Sequence, residues 1–259
     1  MNHPPSALRS FSEIKRLISN APVLLGLDFD GVLAPIIGNI PRAAAGRPVQ
    51  QILRKLNRRK KIRIAIVTGR RLGEIKKKIP IPGLAYSGNH GLEIEAGNYR
   101  FLHAKARRAE KIIPALADEL ENALIPFPGA EIERKEISLS MHTRRCTARH
   151  AANAHRTALR IISNASQRLR THSGTRVLEI QPNVRWNKGD AFTILHEKIG
   201  GTPIFLGDDL GDECAFKTAN TRGGFGIRVS PRGDTIARYH IPSQRGVLRF
   251  LERIDALQR

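Results

Sequence analysis

The chain has 259 residues, with 44 Lys+Arg against 23 Asp+Glu and a formal charge of +21. At about 150 residues per domain this length fits one large domain or a core with a smaller insert, and 41% hydrophobic residues with scattered Gly and Pro exclude collagen-like, low-complexity and generally disordered classes. The only two cysteines, Cys146 and Cys214, exclude a disulfide framework and lead us to expect a reducing, cytoplasmic location, with which a mixed-charge N-terminus lacking an apolar signal segment agrees.

In chain order, a short helical lead-in is followed by Pro22-Val-Leu-Leu-Gly-Leu27, a compact apolar run of the kind buried on both faces of a sheet. The wider stretch Val23 to Ile37 is broken by Asp28 and Asp30 and is too short to cross a bilayer, so no membrane partner is expected. Val49, Ile52, Leu53 and Leu56 repeat at helical spacing, Ile62 to Val67 reads as a second strand, and a helix starts near Leu72. Leu84 to Ser87 is a short strand, and Leu92 to Glu95 and Tyr99 to His103 alternate around Gly97-Asn98 as a hairpin does. The texture then changes. Ala104 to Leu124 reads as helix, Glu131 to His142 as a bent strand or strand pair, Thr147 to Leu169 as a long basic helix and Val177 to Ile180 as a strand. The α/β rhythm resumes with a helix over Asp190 to Ile199, strands over Pro203 to Leu206 and Phe225 to Val229, and a terminal helix from Gln244 that aligns Val247, Leu248, Leu251 and Ile254. This order predicts an α/β fold: a doubly wound parallel sheet from residues 1–104 and 183–259, with a smaller α+β subdomain, 105–182, inserted.

Basic runs such as Arg58 to Lys61, Lys76 to Lys78 and Arg168 to Arg170 fall mostly on predicted helix faces, as solvated charge usually does. Aromatic residues, 5% of the chain, do not interleave with them as stacking platforms would, so no specific nucleic-acid partner is expected.

Three polar clusters sit just past predicted strand ends, where open α/β sheets place ligands. Asp28 and Asp30, two apart in extended chain, leave the same face, and Gly31 permits a sharp turn. Asp-x-Asp-Gly also suits a turn or a Ca²⁺ loop, but here Val32-Leu-Ala-Pro35 follows in place of further alternate ligands. Thr68-Gly-Arg70 is a less specific hydroxyl cluster, and Arg70 suits a helix start as well as a site. Asp208, Asp209 and Asp212 crowd carboxylates in a way that calls for a hard cation; helix capping by Asp212 or Asp209 accounts for one of the three. With no Cys or His grouping at a metal spacing, Mg²⁺ is expected and not Zn²⁺.

Asp28-Phe-Asp-Gly-Val-Leu33, Thr68, Lys188 and Gly207-Asp-Asp-Leu-Gly-Asp212 match in order the four motifs of the haloacid dehalogenase-like phosphohydrolases, which the chain thus resembles over nearly its whole length. Its finer features are similar to those of trehalose-6-phosphate phosphatases: Ala34-Pro-Ile36, Gly88-Asn-His-Gly-Leu-Glu93, Lys135 to Arg144, Val177 to Pro182 and Asn187-Lys-Gly189. The resemblance implies a haloacid dehalogenase-like core with a cap, 105–182, that closes over the sheet edge and reads the sugar. It implies Asp28 as nucleophile forming an aspartyl-phosphate, Asp30 as acid and then base, and Thr68 and Lys188 stabilising the phosphoryl oxygens. Mg²⁺ would be held by Asp28, Asp208 and the Asp30 carbonyl, with Asp209 and Asp212 on bound waters or orienting the site. Sugar contacts would come from Lys135, His142, Arg144 and Glu179, faced by Asn89 and His90 from the core. The chain departs from the family pattern at Val32, Gly211, Gln181 and Thr175. The last two bear on the sugar, so the expected substrate is trehalose 6-phosphate or, alternatively, another phosphorylated sugar. A reading of a different class is a basic polyanion-binding protein on a phosphatase scaffold.

Overall fold

Strand β1 (Val23–Leu27) is apolar along its whole length because both its faces are covered. Val23, Leu25 and Leu27 join one apolar cluster and Leu24 the other, the period-two alternation of a central strand. A computed structural model of the chain describes residues 4–19, 21–35, 43–165, 169–230 and 233–257; Ile36, Ile37 and Arg168 of the sequence reading lie outside them. The chain divides into two compact units, Met1–Phe101 with Trp186–Arg259, and Leu102–Arg185.

The first unit begins with α1 (Phe11–Ile18) and β1, followed by α2 (Arg47–Asn57), β2 (Ile62–Val67), α3 (Leu72–Lys78), β3 (Ala85–Gly88), β4 (Glu93–Ala96) and β5 (Tyr99–Leu102). After the second unit it resumes with α7 (Lys188–Ile199), β10 (Thr202–Gly207), α8 (Glu213–Thr221), β11 (Phe225–Val229), β12 (Tyr239–Ile241) and α9 (Gln244–Leu257). The sheet order is β12-β11-β10-β1-β2-β3-β4-β5, parallel from β12 to β3 and antiparallel where β4 pairs with β3. Residues of α1, α2, α3 and α9 pack on one face with Val23, Leu25 and Leu27; Ala191, Phe192 and Leu195 of α7 and Ala215, Phe216 and Ala219 of α8 pack on the other with Leu24. Gly26 allows this closeness: a Cβ there would lie 2.5 Å from the Phe192 ring and 2.6 Å from that of Phe205. Beyond β5, Phe101 stacks on Trp186 with ring centroids 5.4 Å apart, and Trp186 Nε1 donates to the Gly91 carbonyl at 2.8 Å.

The second unit contains α4 (Ala104–Ala109), α5 (Ile113–Leu124), β6 (Glu131–Arg134), β7 (Leu139–His142), α6 (Ala148–Ala165), β8 (Leu169–Gly174) and β9 (Val177–Pro182). Its antiparallel sheet runs β6-β7-β9-β8, and α5 and α6 bury Leu116, Leu120, Ala158 and Ile162 with Met141, Leu178 and Ile180. Three details differ from the sequence reading. The helix expected over 104–124 is two helices, because Pro114 opens α5 and cannot donate a backbone hydrogen bond to a preceding turn. The basic helix expected to reach Leu169 is described over Ala148–Ala165, and Leu169 itself belongs to a strand, Leu169–Gly174, whose residues 170–174 are all exposed, so no apolar alternation marks it. The three-residue β12 is also additional. Among the described residues no helix is long and apolar enough to cross a membrane, and both cysteines are free thiols.

Candidate active site

From β1 the sheet runs outward to β2 and β3 on one side and to β10 and β11 on the other, so the chain order reverses between β1 and β10. The crossover helices leave a crevice beyond the carboxyl ends of such strands. Asp28 and Asp208 are the first residues past β1 and β10. The Asp28 N–H donates to the Leu206 carbonyl at 3.0 Å, which ties the nucleophile candidate to β10. The chain then turns: Leu33 and Ala34 donate to the Phe29 carbonyl, and Gly31 donates to that of Ala34, at 2.8–2.9 Å. Phe29 and Val32 anchor this turn in the core, while Asp30 emerges with 39% of its side chain exposed. Gly31 has φ +76°, and a Cβ there would fall 1.9 Å from Asp208 Oδ2, so this position needs glycine both for conformation and for space.

Lys188 opens α7. Asn187 caps that helix by accepting from the Gly189 and Asp190 N–H groups at 2.8 and 3.2 Å, while the Asp190 carboxylate accepts from the Asn187 N–H at 2.9 Å. This box aims Lys188 inward. Although lysine is usually a surface residue, Lys188 is 5% exposed; its Nζ donates to Asp212 Oδ1 at 2.7 Å and lies 2.9 Å from Asp28 Oδ2. Asp212 Oδ2 accepts the N–H groups of Asp208 and Asp209 at 2.9 and 3.1 Å, so Asp212 braces the loop that carries the other two. Arg228 of β11 donates to the Asp209 carbonyl and so also holds that loop.

The charges are unevenly balanced. Burial pushes the Asp28 carboxyl well above the usual range; Lys188 opposes the shift, and Asp212, Asp209 and Asp208 add to it. Burial, then Asp212 and Asp209, push Asp208 up to about 7. Burial alone would lower Lys188, but Asp212 and Asp28 outweigh it and keep the ammonium protonated well above its ordinary range. One ligand atom from each of Asp28, Asp208 and Asp212 lies within 4.8 Å of the others, an all-oxygen set suited to a hard divalent cation. Asp209 stands outside this group and is exposed.

Thr68 is buried at the end of β2, its N–H donating to the Ser87 carbonyl at 3.0 Å. The His90 N–H donates to the Thr68 carbonyl at 3.1 Å, and a Cβ on Gly69 would meet the His90 ring at 2.5 Å. Asn89 and His90 both have left-handed backbone, φ 49° and 56°; Asn89 is buried and donates to Glu93. Such conformations concentrate at functional sites. In the second unit, Glu179 Oε2 accepts from Ser140 Oγ at 2.8 Å, its cross-strand neighbour, and lies 3.4 Å from Lys135 Nζ. His142 Nε2 lies 2.9 Å from Glu133 Oε2, and Arg144 is exposed. Two arginines had a weaker sequence signal than their positions warrant. Arg70 is buried and grips Asp30, and Arg228, a charge within the otherwise apolar strand Phe225–Val229, is buried beside the acidic loop.

The fold matches solved structures closely. A trehalose-6-phosphate phosphatase related protein superposes with a TM-score of 0.80 at 24% identity, covering 90% of this chain and 97% of that one. A haloacid dehalogenase-like hydrolase from Bacteroides thetaiotaomicron superposes with a TM-score of 0.65 at 15% identity, over 90% and 99% of the two chains. The protein therefore has the α/β fold of the haloacid dehalogenase-like hydrolases. A family model described as trehalose-phosphatase matches residues 26–243, and the probable trehalose-phosphate phosphatase D of Arabidopsis thaliana is 32% identical over 98% of this chain and 73% of its own length. The chain belongs to the trehalose-phosphatase family, a family of phosphoric monoester hydrolases.

Proposed function

We propose that this protein hydrolyses trehalose 6-phosphate to trehalose and phosphate in a Mg²⁺-dependent reaction through an aspartyl-phosphate. The observation that carries this reading is the buried Asp28 carboxylate, held against Lys188 beside Asp208 and Asp212, with the half-exposed Asp30 two residues on. Asp28 attacks the phosphorus, the bond from phosphorus to the sugar oxygen breaks, and that oxygen takes its proton from Asp30. Asp30 then removes a proton from water, which attacks the phosphorus; the bond to Asp28 breaks, releasing inorganic phosphate and restoring the carboxylate. Thr68 and Lys188 stabilise charge on the phosphoryl oxygens. The side chains of Asp28 and Asp208 and the Asp30 carbonyl would hold Mg²⁺, with Asp212 and Asp209 shaping the loop. Bound there, the ion screens the repulsion between a carboxylate nucleophile and a dianionic ester.

In this reading the inserted subdomain, 105–182, is the cap, in which Lys135, His142, Arg144 and Glu179 read sugar hydroxyls; Asn89 and His90 are the candidates of the core for sugar contacts. Gln181, buried in the same strand as Glu179, stands where the family commonly has arginine and favours a second candidate, another phosphorylated sugar. The test is phosphate release from trehalose 6-phosphate beside a panel of sugar phosphates, with Mg²⁺ and with EDTA, and with Asp28→Asn as control. Dominant turnover of trehalose 6-phosphate that requires both metal and Asp28 is expected. Preference for another sugar phosphate would overturn the substrate assignment alone. A folded protein without turnover would overturn the phosphatase reading, leaving salt-sensitive polyanion binding to be tested.

A further inference from the structure

We propose that Arg70 is a positioning residue that sets the carboxylate of Asp30 for proton transfer to the departing sugar oxygen; this rests on the phosphatase reading above. Asp30 sits on the exposed side of a tight turn, with 39% of its side chain open, and a carboxylate so placed rotates freely unless something holds it. Arg70 holds it with both prongs of its guanidinium: Nε donates to Oδ2 and Nη2 to Oδ1, each at 2.8 Å. This fork fixes the carboxylate plane and occupies one lone-pair direction on each oxygen. The other direction on each remains available for a proton.

Arg70 is itself fixed from several sides. It is 5% exposed, its guanidinium lies 5.1 Å over the Phe29 ring, and its third prong donates to Glu74 one turn along α3. Its backbone is pinned as well. The Arg70 N–H donates to Thr68 Oγ1 at 3.2 Å, and its carbonyl accepts the Asn89 N–H at 2.7 Å. One guanidinium thus links the hydroxyl cluster after β2 to the acid–base candidate after β1, 40 residues apart in sequence. A surface helix-start arginine would need none of these contacts.

A sugar alkoxide is a poor leaving group that must be protonated, whereas p-nitrophenolate departs without a proton. The ratio kcat/KM covers the steps through phosphoenzyme formation, so comparing it for the two substrates isolates proton donation from nucleophilic attack and phosphate binding. The experiment measures kcat/KM for trehalose 6-phosphate and for p-nitrophenyl phosphate in the wild type, Arg70→Ala, Arg70→Lys, Glu74→Gln and Asp30→Asn, with thermal melts to establish folding. Arg70→Ala is expected to lose about 100-fold on the sugar phosphate and less than about tenfold on the phenyl ester, as Asp30→Asn should. Arg70→Lys should be intermediate with the same selectivity, because an ammonium cannot span both oxygens; it carries the comparison if the alanine variant fails to fold. Glu74→Gln should follow the same pattern more weakly. Equal losses on both substrates, or no loss on either, overturn this inference while leaving the phosphatase reading in place. A wild type that hydrolyses neither substrate overturns that reading and this inference with it.

Discussion

At Lys188 a single ammonium is shared by two buried carboxyl groups, and its removal leaves Asp28 and Asp212 beside each other without a counter-charge. Breaking a buried pair costs about 3–5 kcal/mol, so Lys188→Met should lower unfolding stability by that order in urea titration without metal, and by less in millimolar Mg²⁺. An unchanged midpoint would mean that the ammonium contributes no net stabilisation. Asp208 makes a pH-dependent claim. Its carboxyl titrates near 7 in the folded state and near 3.8 when unfolded, so between these values the native state binds the extra proton. Metal-free stability from this group therefore falls as pH rises through that window. A divalent cation needs the deprotonated carboxylate, so the rise in Tm on adding Mg²⁺ should be larger at pH 8 than at pH 6. A pH-independent rise would dissociate Asp208 from metal binding. The sequence identified these acids by their crowding and Lys188 by its motif, but residue type alone does not set Lys188 or Arg70 apart from the many other basic residues. Their burial follows from the capping box that starts α7 and from the reach of Arg70 to another loop.

At the scale of elements, the turn after β1 shows how backbone conformation and site are joined. Gly31 and Gly97 both have positive φ, but a Cβ at Gly31 would strike Asp208, whereas one at Gly97 meets nothing within 4 Å. Gly97→Ala should cost about 1 kcal/mol with activity retained, because only the backbone is strained. Gly31→Ala should also abolish the thermal response to Mg²⁺, since Asp208 must move. Equal behaviour of the two variants in melts with and without metal would contradict this account. The doubly buried strands were legible because their apolar runs lie between turn residues. β8 was not, since its exposed residues 170–174 are held by backbone pairing with β9 and carry no burial pattern. The break between α4 and α5 is written in Pro114, which the apolar spacing on either side conceals.

Over the whole molecule the formal charge is +21, opposite in sign to a phosphoric monoester. A field of this sign should accelerate encounter, so kcat/KM for the sugar phosphate should fall as NaCl rises from about 20 to 200 mM, more steeply than kcat. A flat kcat/KM would limit the charge to a role outside catalysis. The site lies at the reversal of strand order because β1 and β10 are neighbours although Val23 and its partner Thr202 are 179 positions apart in the chain. No local pattern encodes that pairing.

The sequence by itself determined the alternation of strands and helices, the change of texture near residue 104, the four ordered motifs and the acidic, oxygen-only character of the site, because each depends on residue type and short spacing. Tertiary structure alone decided which carboxylates converge, that Lys188 is buried between Asp28 and Asp212, and that Arg70 grips Asp30. The physical reason is common to all three: burial and charge pairing are set by neighbours brought together across the sheet, and the dielectric surroundings of a side chain do not exist until those neighbours are in place.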